Sequence, residues 1–227
     1  PDLSGKRLLA LGCGNATQWR INQHRFAPNA RIILTDISEG MLAEARGDLE
    51  GDSRFTLLCM DASELVFEDE SFDFVTANHM LYHVPDIAQT LAEVTRVLKP
   101  DGGMMAATNG ANYMLDLDML LTEFWPVYGG LHTMSLKFNL QNAAEQLQPW
   151  FGQVEKRLYT GDLWVTEALP LVDYAFSTQR VQQLIPLDQK EPMRAYFQAR
   201  IDQSGGILIR KETGLFLGSQ PKKAQRK

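Results

Sequence analysis

Two glycines and one aspartate have the spacing that points most clearly to chemistry in this sequence. Gly12 and Gly14 follow the apolar run Leu8–Leu11 and precede a stretch with helical character. Glycines in such a turn let the backbone turn tightly and let a ligand approach it closely, and the next helix offers free N–H groups. Asp36 ends the second apolar run, where a carboxylate can accept hydrogen bonds from both hydroxyls of a ribose. The pattern therefore predicts a site for an adenosyl group.

Two kinds of adenosyl cofactor fit this pattern, a nicotinamide dinucleotide and S-adenosylmethionine. A dinucleotide site favours a third glycine where Thr17 stands, which argues against the first. Further along, the chain has three more motifs, Cys59–Ala62, Phe72–Val84 and Leu98–Gly103. With these motifs the chain resembles the class I S-adenosylmethionine-dependent methyltransferases, especially the small-molecule branch that includes the ubiquinone and menaquinone biosynthesis methyltransferases. The resemblance runs from about Lys6 to Asn109.

The resemblance implies a cofactor site built from the ends of four strands. The residues that match the family's motifs would hold S-adenosylmethionine, or its product S-adenosylhomocysteine: Gly12, Cys13 and Gly14 in the turn, Asp36 at the ribose, Ile37 and Met41 beside the adenine, Asp61 and Ala62 at the adenine amino group, and Asn78 and His79 at the methionine end. The implied contact of Asn78 is made by its backbone carbonyl, which would accept from the methionine amino group.

Two positions depart from the family's pattern. Ala10 stands where the family usually has an acidic residue that helps to bind the methionine ammonium group, and Ala16 replaces the usual third glycine. Losing a charge-assisted hydrogen bond costs about 1.5–3 kcal/mol, which corresponds to about one or two decades in affinity. A cofactor site that has been weakened is therefore an alternative that the sequence leaves open.

Histidines are the candidate proton acceptors for the reaction. Methyl transfer to a hydroxyl or an amine is helped by a base whose pKa lies near neutral pH, and histidine is the usual choice. The candidates are His79, His83 and His132, of which His83 is favoured. His79 and His83 are also spaced as metal ligands on a helix would be. No nearby pattern of acidic residues and histidines completes such a site, so no metal is expected.

The elements that must position these residues alternate between short apolar runs and helical stretches, which is typical of a parallel sheet covered by helices. Five strands are predicted, at Arg7–Leu11, Arg31–Asp36, Phe55–Met60, Phe72–Asn78 and Gly103–Asn109. Helices are predicted at Asn15–His24, Ser38–Leu49 and Asp86–Leu98, and later around Tyr113–Phe124, Glu167–Ser177 and Gln189–Gln203. Two late runs, Gln153–Thr160 and Gly206–Phe216, are predicted to form an antiparallel pair that closes the sheet edge.

These elements predict an α/β, Rossmann-like, doubly wound fold. The family resemblance implies seven strands, mostly parallel with an antiparallel edge strand. We expect one methyltransferase domain over residues 1–227, with a cofactor-binding core at 1–110, a helical cap insertion at 111–150, and closing strands and helices at 151–227. Because the chain begins at Pro1 and not at a methionine, a natural N-terminal piece is expected to precede it.

Composition excludes several classes of protein. Twenty-two Lys and Arg residues against 28 Asp and Glu give a net charge of −6, which disfavours nucleic acid as a partner. No apolar run approaches the roughly 18 residues that a membrane span requires. Cys13 and Cys59 are interpreted as reduced thiols of a cytoplasmic protein. The basic segment Pro221–Lys227 is interpreted as a solvated, frayed terminus.

The function that these observations favour is S-adenosylmethionine-dependent methyl transfer to a small-molecule acceptor. One alternative keeps the fold but has a weakened cofactor site, and acts as a scaffold or as a non-methylating enzyme. A second alternative is a nicotinamide-dependent oxidoreductase. The sequence sets neither the acceptor nor the oligomeric state, because acceptor pockets in such folds come from variable insertions.

Overall fold

A computed structural model describes residues 4–129 and 136–223, without the side chains of Asp48 and Thr160. The strands are β1 (Arg7–Leu11), β2 (Arg31–Asp36), β3 (Phe55–Cys59), β4 (Phe72–Asn78), β5 (Leu98–Asn109), β6 (Phe151–Thr160), β7 (Leu163–Val165), β8 (Ile207–Ile209) and β9 (Glu212–Pro221). The helices are α1 (Thr17–Asn22), α2 (Glu39–Asp48), α3 (Ile87–Val97), α4 (Leu115–Phe124), α5 (Ala143–Leu147), α6 (Ala168–Ser177), α7 (Gln179–Leu184) and α8 (Lys190–Ser204).

Seven strands form one sheet in the order β3-β2-β1-β4-β5-β9-β6. β1 pairs in parallel with β2 and with β4, β2 pairs in parallel with β3, and β4 with β5. The chain thus builds the sheet outward from β1 in both directions, which is the doubly wound arrangement. The predicted α/β fold class is confirmed.

Alternate residues of β1 face opposite sides of the sheet, as the two-residue period of a strand requires. Leu9 and Leu11 pack in one apolar cluster, which contains the buried apolar residues of α3, whereas Leu8 and Ala10 pack in another with Trp19 of α1. These four residues of β1 are each at most 3% exposed. Helices therefore cover both faces of the sheet at its centre, and the strand ends are the places left for polar chemistry.

The strands that carry the candidate site follow the predicted boundaries closely. β1, β2 and β4 begin and end where the apolar runs do, and β3 ends one residue early. β5 begins earlier than predicted, at Leu98. Phe72 of β4 pairs with Leu98 and Phe74 pairs with Gly103, so the proline and glycine residues expected to form a turn lie in an irregularity of the strand pairing. A bulge accommodates such residues without ending the strand.

The edge formed by β9 and β6 is antiparallel, as expected. The Lys222 N–H donates to the Trp150 carbonyl at 2.8 Å, while at the other end a Cβ on Gly214 would lie 2.5 Å from the Arg157 carbonyl. Residue numbers therefore rise along one strand as they fall along the other.

The late run Gly206–Phe216 is not one strand, and the prediction was wrong there. It divides into β8, which pairs antiparallel with β7 in a separate two-stranded sheet, and β9 of the main sheet. Between them, the Arg210 N–H donates to the Asp116 carboxylate and the Lys211 N–H donates to Asp162. These side-chain acceptors take the N–H groups that a continuous strand pairing would use.

The described start of the basic segment, Pro221–Lys223, makes contacts that a fully solvated terminus would lack. Lys223 Nζ donates to the carbonyls of Thr95, Arg96 and Leu98 at 2.8–3.2 Å. These carbonyls lie at the carboxyl end of α3, where backbone acceptors lack partners within the helix and a cation is favourable. Lys223 is therefore a capping residue, while residues 224–227 lie outside the described part of the chain.

The chain divides into two compact units. The first comprises the residues up to Thr108, Lys137–Leu158 and the residues from Gly214 onward, and the second comprises Asn109–Leu136 and Tyr159–Thr213. The predicted cap insertion, residues 111–150, contributes to both units, and its role as a cap stays a prediction. No helix in the described part of the chain is long and apolar enough to cross a membrane.

Candidate cofactor site

The glycine turn after β1 has the left-handed backbone that only glycine adopts without strain. The φ angles of Gly12 and Gly14 are 60° and 57°. A Cβ built on Gly12 would lie 2.7 Å from the Cβ of Met80, whereas one on Gly14 would have nothing within 4 Å. Gly12 is therefore required by both conformation and space, while Gly14 leaves an open position beside the turn.

Asp36 joins the end of β2 to this turn. Its Oδ2 atom accepts from the Gly14 N–H at 2.8 Å, and its Oδ1 atom accepts from the Ser38 N–H at 2.9 Å. Each carboxylate oxygen can accept a second hydrogen bond, so these contacts fix the carboxylate and leave it able to bind ribose hydroxyls. Ser38 caps α2 by accepting from the Met41 N–H, which leaves Asp36 free of the capping role.

Two apolar side chains near the start of α2 remain on the surface beside Asp36. Ile37 is 71% exposed and Met41 is 41% exposed. Apolar side chains exposed beside a polar anchor are what a site for a flat, largely apolar base requires. The Met60 N–H donates to the Asp36 carbonyl at 3.0 Å, which holds the segment after β3 next to these residues.

Asp61 follows β3 with one oxygen already engaged. Oδ1 accepts from both the backbone N–H and the hydroxyl of Ser63, at 2.8 and 2.7 Å. These two hydrogen bonds lower the pKa of Asp61, so the carboxylate is ionised and can accept at Oδ2. Ala62 beside it is buried. The arrangement suits an amino-group donor such as that of adenine.

At the end of β4 one polar atom has no partner. The Asn78 Nδ2 group donates to Gln18 Oε1 at 3.2 Å, and the Asn78 Oδ1 atom is buried without a hydrogen bond. Buried acceptors in native proteins are almost always paired, so this oxygen fits a donor supplied by a ligand. Sequence reasoning missed Gln18, because nothing but its place in α1 distinguishes it.

The two candidate bases differ in their surroundings. His79 has a left-handed backbone, with φ of 54°, and its backbone N–H donates to the Ala107 carbonyl at 2.9 Å. Partial desolvation lowers the pKa of the His79 imidazole and so favours the neutral ring, although His79, like His83, is an exposed residue. His83 is exposed, and its ring lies 4.5 Å from that of Tyr82. His132 lies outside the described residues.

Cys13 has the properties of a filler residue and not of a nucleophile. Burial, together with the charge of Asp36, raises the pKa of the Cys13 thiol to about 12. A protonated thiol is a poor nucleophile and a poor metal ligand. Within the described part of the chain, no group of three or more His, Cys, Asp or Glu residues could hold a metal ion.

Comparisons with known proteins identify this region. Residues 9–106 match the family described as "Methyltransferase domain". This matched part of the chain is similar to a methyltransferase domain. It contains the glycine turn and the ends of β1 to β4, with every residue predicted to contact the cofactor. The individual roles of those residues stay predictions.

Curated relatives of the chain are named as demethylmenaquinone methyltransferases. The chain is 39% identical over 100 residues to a demethylmenaquinone methyltransferase of Clavibacter sepedonicus, a match that covers 44% of this chain and 40% of the relative. It is 31% identical over 140 residues to one of Bacillus cytotoxicus, covering 59% of each. The chain thus spans about half the length of these curated relatives.

A solved structure has the same fold over nearly the whole chain. The phosphoethanolamine N-methyltransferase 2 of Haemonchus contortus, solved with phosphomonomethylethanolamine and S-adenosylhomocysteine, superposes with a TM-score of 0.59 at 19% identity. The match covers 98% of this chain and 51% of that one. These comparisons give the nicotinamide-dependent oxidoreductase alternative no support.

Proposed function

We propose that the protein transfers a methyl group from S-adenosylmethionine to a small-molecule acceptor. The observation that carries the proposal is the convergence of three anchors at the carboxyl ends of the parallel strands. These are the glycine turn, the Asp36 carboxylate hydrogen-bonded to it, and Asp61 with a free oxygen. Ligands of doubly wound sheets bind at this edge.

The residues present fit the cofactor chemically. Open space beside Gly14 admits a ligand next to the turn. Ile37 and Met41 offer apolar surface for the adenine, and the unpartnered Asn78 Oδ1 offers an acceptor for a donor of the methionine portion. When bound, S-adenosylmethionine supplies a methyl group already activated by its sulfonium. The protein's own task is then to orient the partners and to exclude water.

A histidine at the end of β4 is the proposed proton acceptor for a hydroxyl or amine acceptor. His83 is favoured by its position after β4, and His79 is the second candidate. A neutral imidazole can accept a proton at pH 7, and the lowered pKa of His79 keeps its ring in that form. If the methyl group is accepted by a carbon atom, the same histidine would remove the proton from that carbon.

The acceptor that we propose to test first is a demethylated quinone. The two relatives above are named as demethylmenaquinone methyltransferases, although their matches lie largely in the cofactor-binding half. The net charge of −6 disfavours nucleic acid as an acceptor. We further propose a cytoplasmic location, supported by two cysteines that form no disulfide.

Calorimetric titration of the full-length protein tests the proposal directly. S-adenosylmethionine and S-adenosylhomocysteine should bind with micromolar affinity, and NADH should not bind. Methyl transfer from cofactor labelled on the methyl group to a demethylated quinone, a phenol or an amine then identifies the acceptor class. Binding of NADH in place of the two adenosyl compounds would overturn the proposal.

One alternative keeps a specific observation in its favour. Ala10, where an acidic residue would help to bind the ammonium group, is 2% exposed and packs among apolar residues. A protein with a weakened cofactor site would bind S-adenosylhomocysteine weakly and would transfer no methyl group to any acceptor class. The same titration followed by the transfer assay separates this alternative from an active enzyme.

A further inference from the structure

The strongest unexplained feature of the site is the buried Asn78 oxygen. Its amide nitrogen is held by Gln18, and its amide oxygen is shielded from water without any hydrogen bond. Leaving a buried acceptor unpaired destabilises the folded protein. A protein tolerates such an acceptor where a ligand's donor is the partner.

The place of this oxygen in the sheet determines which donor can reach it. β1 and β4 run parallel, with Leu11 opposite Ala77 and Ala10 opposite Thr76. Asn78 follows Ala77 just as Gly12 follows Leu11. Asn78 therefore lies beside the glycine turn. Gln18 belongs to the first turn of α1, immediately after the same glycine turn. The Asn78 Oδ1 atom thus lies at the same end of the sheet as Ala10, where this chain lacks the acidic residue that the family usually has.

We infer that the side-chain amide of Asn78, oriented by Gln18, accepts from the cofactor's ammonium group in place of the missing acidic residue at Ala10. The inference rests on the proposed function, because the donor belongs to S-adenosylmethionine. It differs from the backbone-carbonyl contact implied by the family resemblance, since here the side-chain oxygen provides the contact. Gln18 is a positioning residue, because its contact is with Asn78.

Ligand truncation provides the test. S-adenosylhomocysteine has both the ammonium and the carboxylate, decarboxylated S-adenosylmethionine keeps only the ammonium, and methylthioadenosine has neither. In calorimetric titrations, Asn78→Ala should bind the first two ligands about 10- to 100-fold more weakly than the wild type does. Its affinity for methylthioadenosine should stay within about twofold, because that ligand has no group that reaches Asn78.

Further variants distinguish recognition from structure. Asn78→Asp should tighten binding of the two ammonium ligands by about tenfold, because a carboxylate makes a charge-assisted hydrogen bond. Gln18→Ala should give the same ligand selectivity as Asn78→Ala with a smaller loss. Asn29→Ala, at an exposed asparagine in another loop, is the matched control and should change no affinity. Circular dichroism should show every variant folded.

Several results would overturn the inference. An equal loss for all three ligands in Asn78→Ala would show a general structural role. No loss, or weaker ammonium binding by Asn78→Asp, would show that the oxygen does not face the ammonium group. If the wild type binds none of the three ligands, the proposed function itself fails, and the inference fails with it. Wild-type binding of all three separates a failure of the inference alone from that outcome.

Discussion

At the residue scale, Asp36 has a structural role in the glycine turn as well as its predicted role at the ribose, and the sequence alone does not distinguish the two. Its two oxygens receive the N–H groups of Gly14 and Ser38, so the carboxylate holds the glycine turn and the start of α2 before any ligand binds. A site that is preorganised in this way loses less entropy when a ligand binds. The sequence placed a carboxylate at the strand end but could not show that it holds the turn.

Replacing Asp36 with asparagine should therefore reduce both stability and binding. The amide has one acceptor oxygen, and its NH₂ group would face one of the two N–H donors. We expect the free energy of unfolding to fall by about 1–3 kcal/mol and S-adenosylhomocysteine affinity to fall at least about tenfold. Denaturant unfolding and calorimetry measure the two effects. The exposed residue Asp188 offers a control, Asp188→Asn, which should change neither; an unchanged affinity for Asp36→Asn would contradict the ribose assignment.

The lowered pKa of His79 gives a pH prediction with a definite sign. Desolvation favours the neutral ring in the folded state, so this preference stabilises the fold above pH 6.5 and is lost as pH falls through the lower, folded-state pKa. If His79 is the base, methyl transfer should fall on the acid side at the same pKa, because a protonated ring accepts no proton.

Titration of the histidine ring signals by NMR measures this directly, with His79→Gln and His83→Gln variants for assignment. The His79 signal should have its midpoint below 6.5. Loss of the acid limb of the rate profile in only one variant identifies the base. A His79 midpoint above 6.5 would contradict the desolvation argument.

At the element scale, the predictable part of the structure is the part with strict periodicity. β1 ends just before Gly12, β2 ends at Asp36 and β4 ends at Asn78, and these predicted boundaries match the structure. β5 and the run around β8 and β9 were harder to predict. Their limits depend on a bulge and on distant acceptors such as Asp116 and Asp162. Local sequence contains no signal of such long-range partners.

The glycine turn offers a matched pair of substitutions. Both glycines have positive φ, so alanine at either position should cost about 1–2 kcal/mol from conformation alone. Gly12→Ala adds a clash with the Cβ of Met80, whereas Gly14→Ala meets open space. We expect Gly12→Ala to be the more destabilising by about 1–3 kcal/mol, as measured by urea unfolding. Equal losses in the two variants would show that the turn relaxes away from Met80.

At the scale of the whole molecule, the two compact units have separate apolar cores. The first unit buries Leu91 of α3 completely, and the second buries Met193 of α8 completely. The residues that we assign to the cofactor belong to the first unit alone. A ligand that binds only one folded unit stabilises that unit by mass action, by about 2.7 kcal/mol at a concentration of 100 times its Kd.

Hydrogen exchange on two core variants tests whether stability is divided in the same way. Leu91→Ala and Met193→Ala should each cost about 2–5 kcal/mol in their own core. Met193→Ala should accelerate exchange in α6 and α8 and leave the amides of β1, β2 and β4 protected, with S-adenosylhomocysteine affinity unchanged. Leu91→Ala should do the reverse and should weaken binding, because a fraction of the first unit then opens at each moment. If Met193→Ala deprotects both units equally, the molecule unfolds as one cooperative body, and cofactor binding would depend on residues outside the stretch that matches the methyltransferase family.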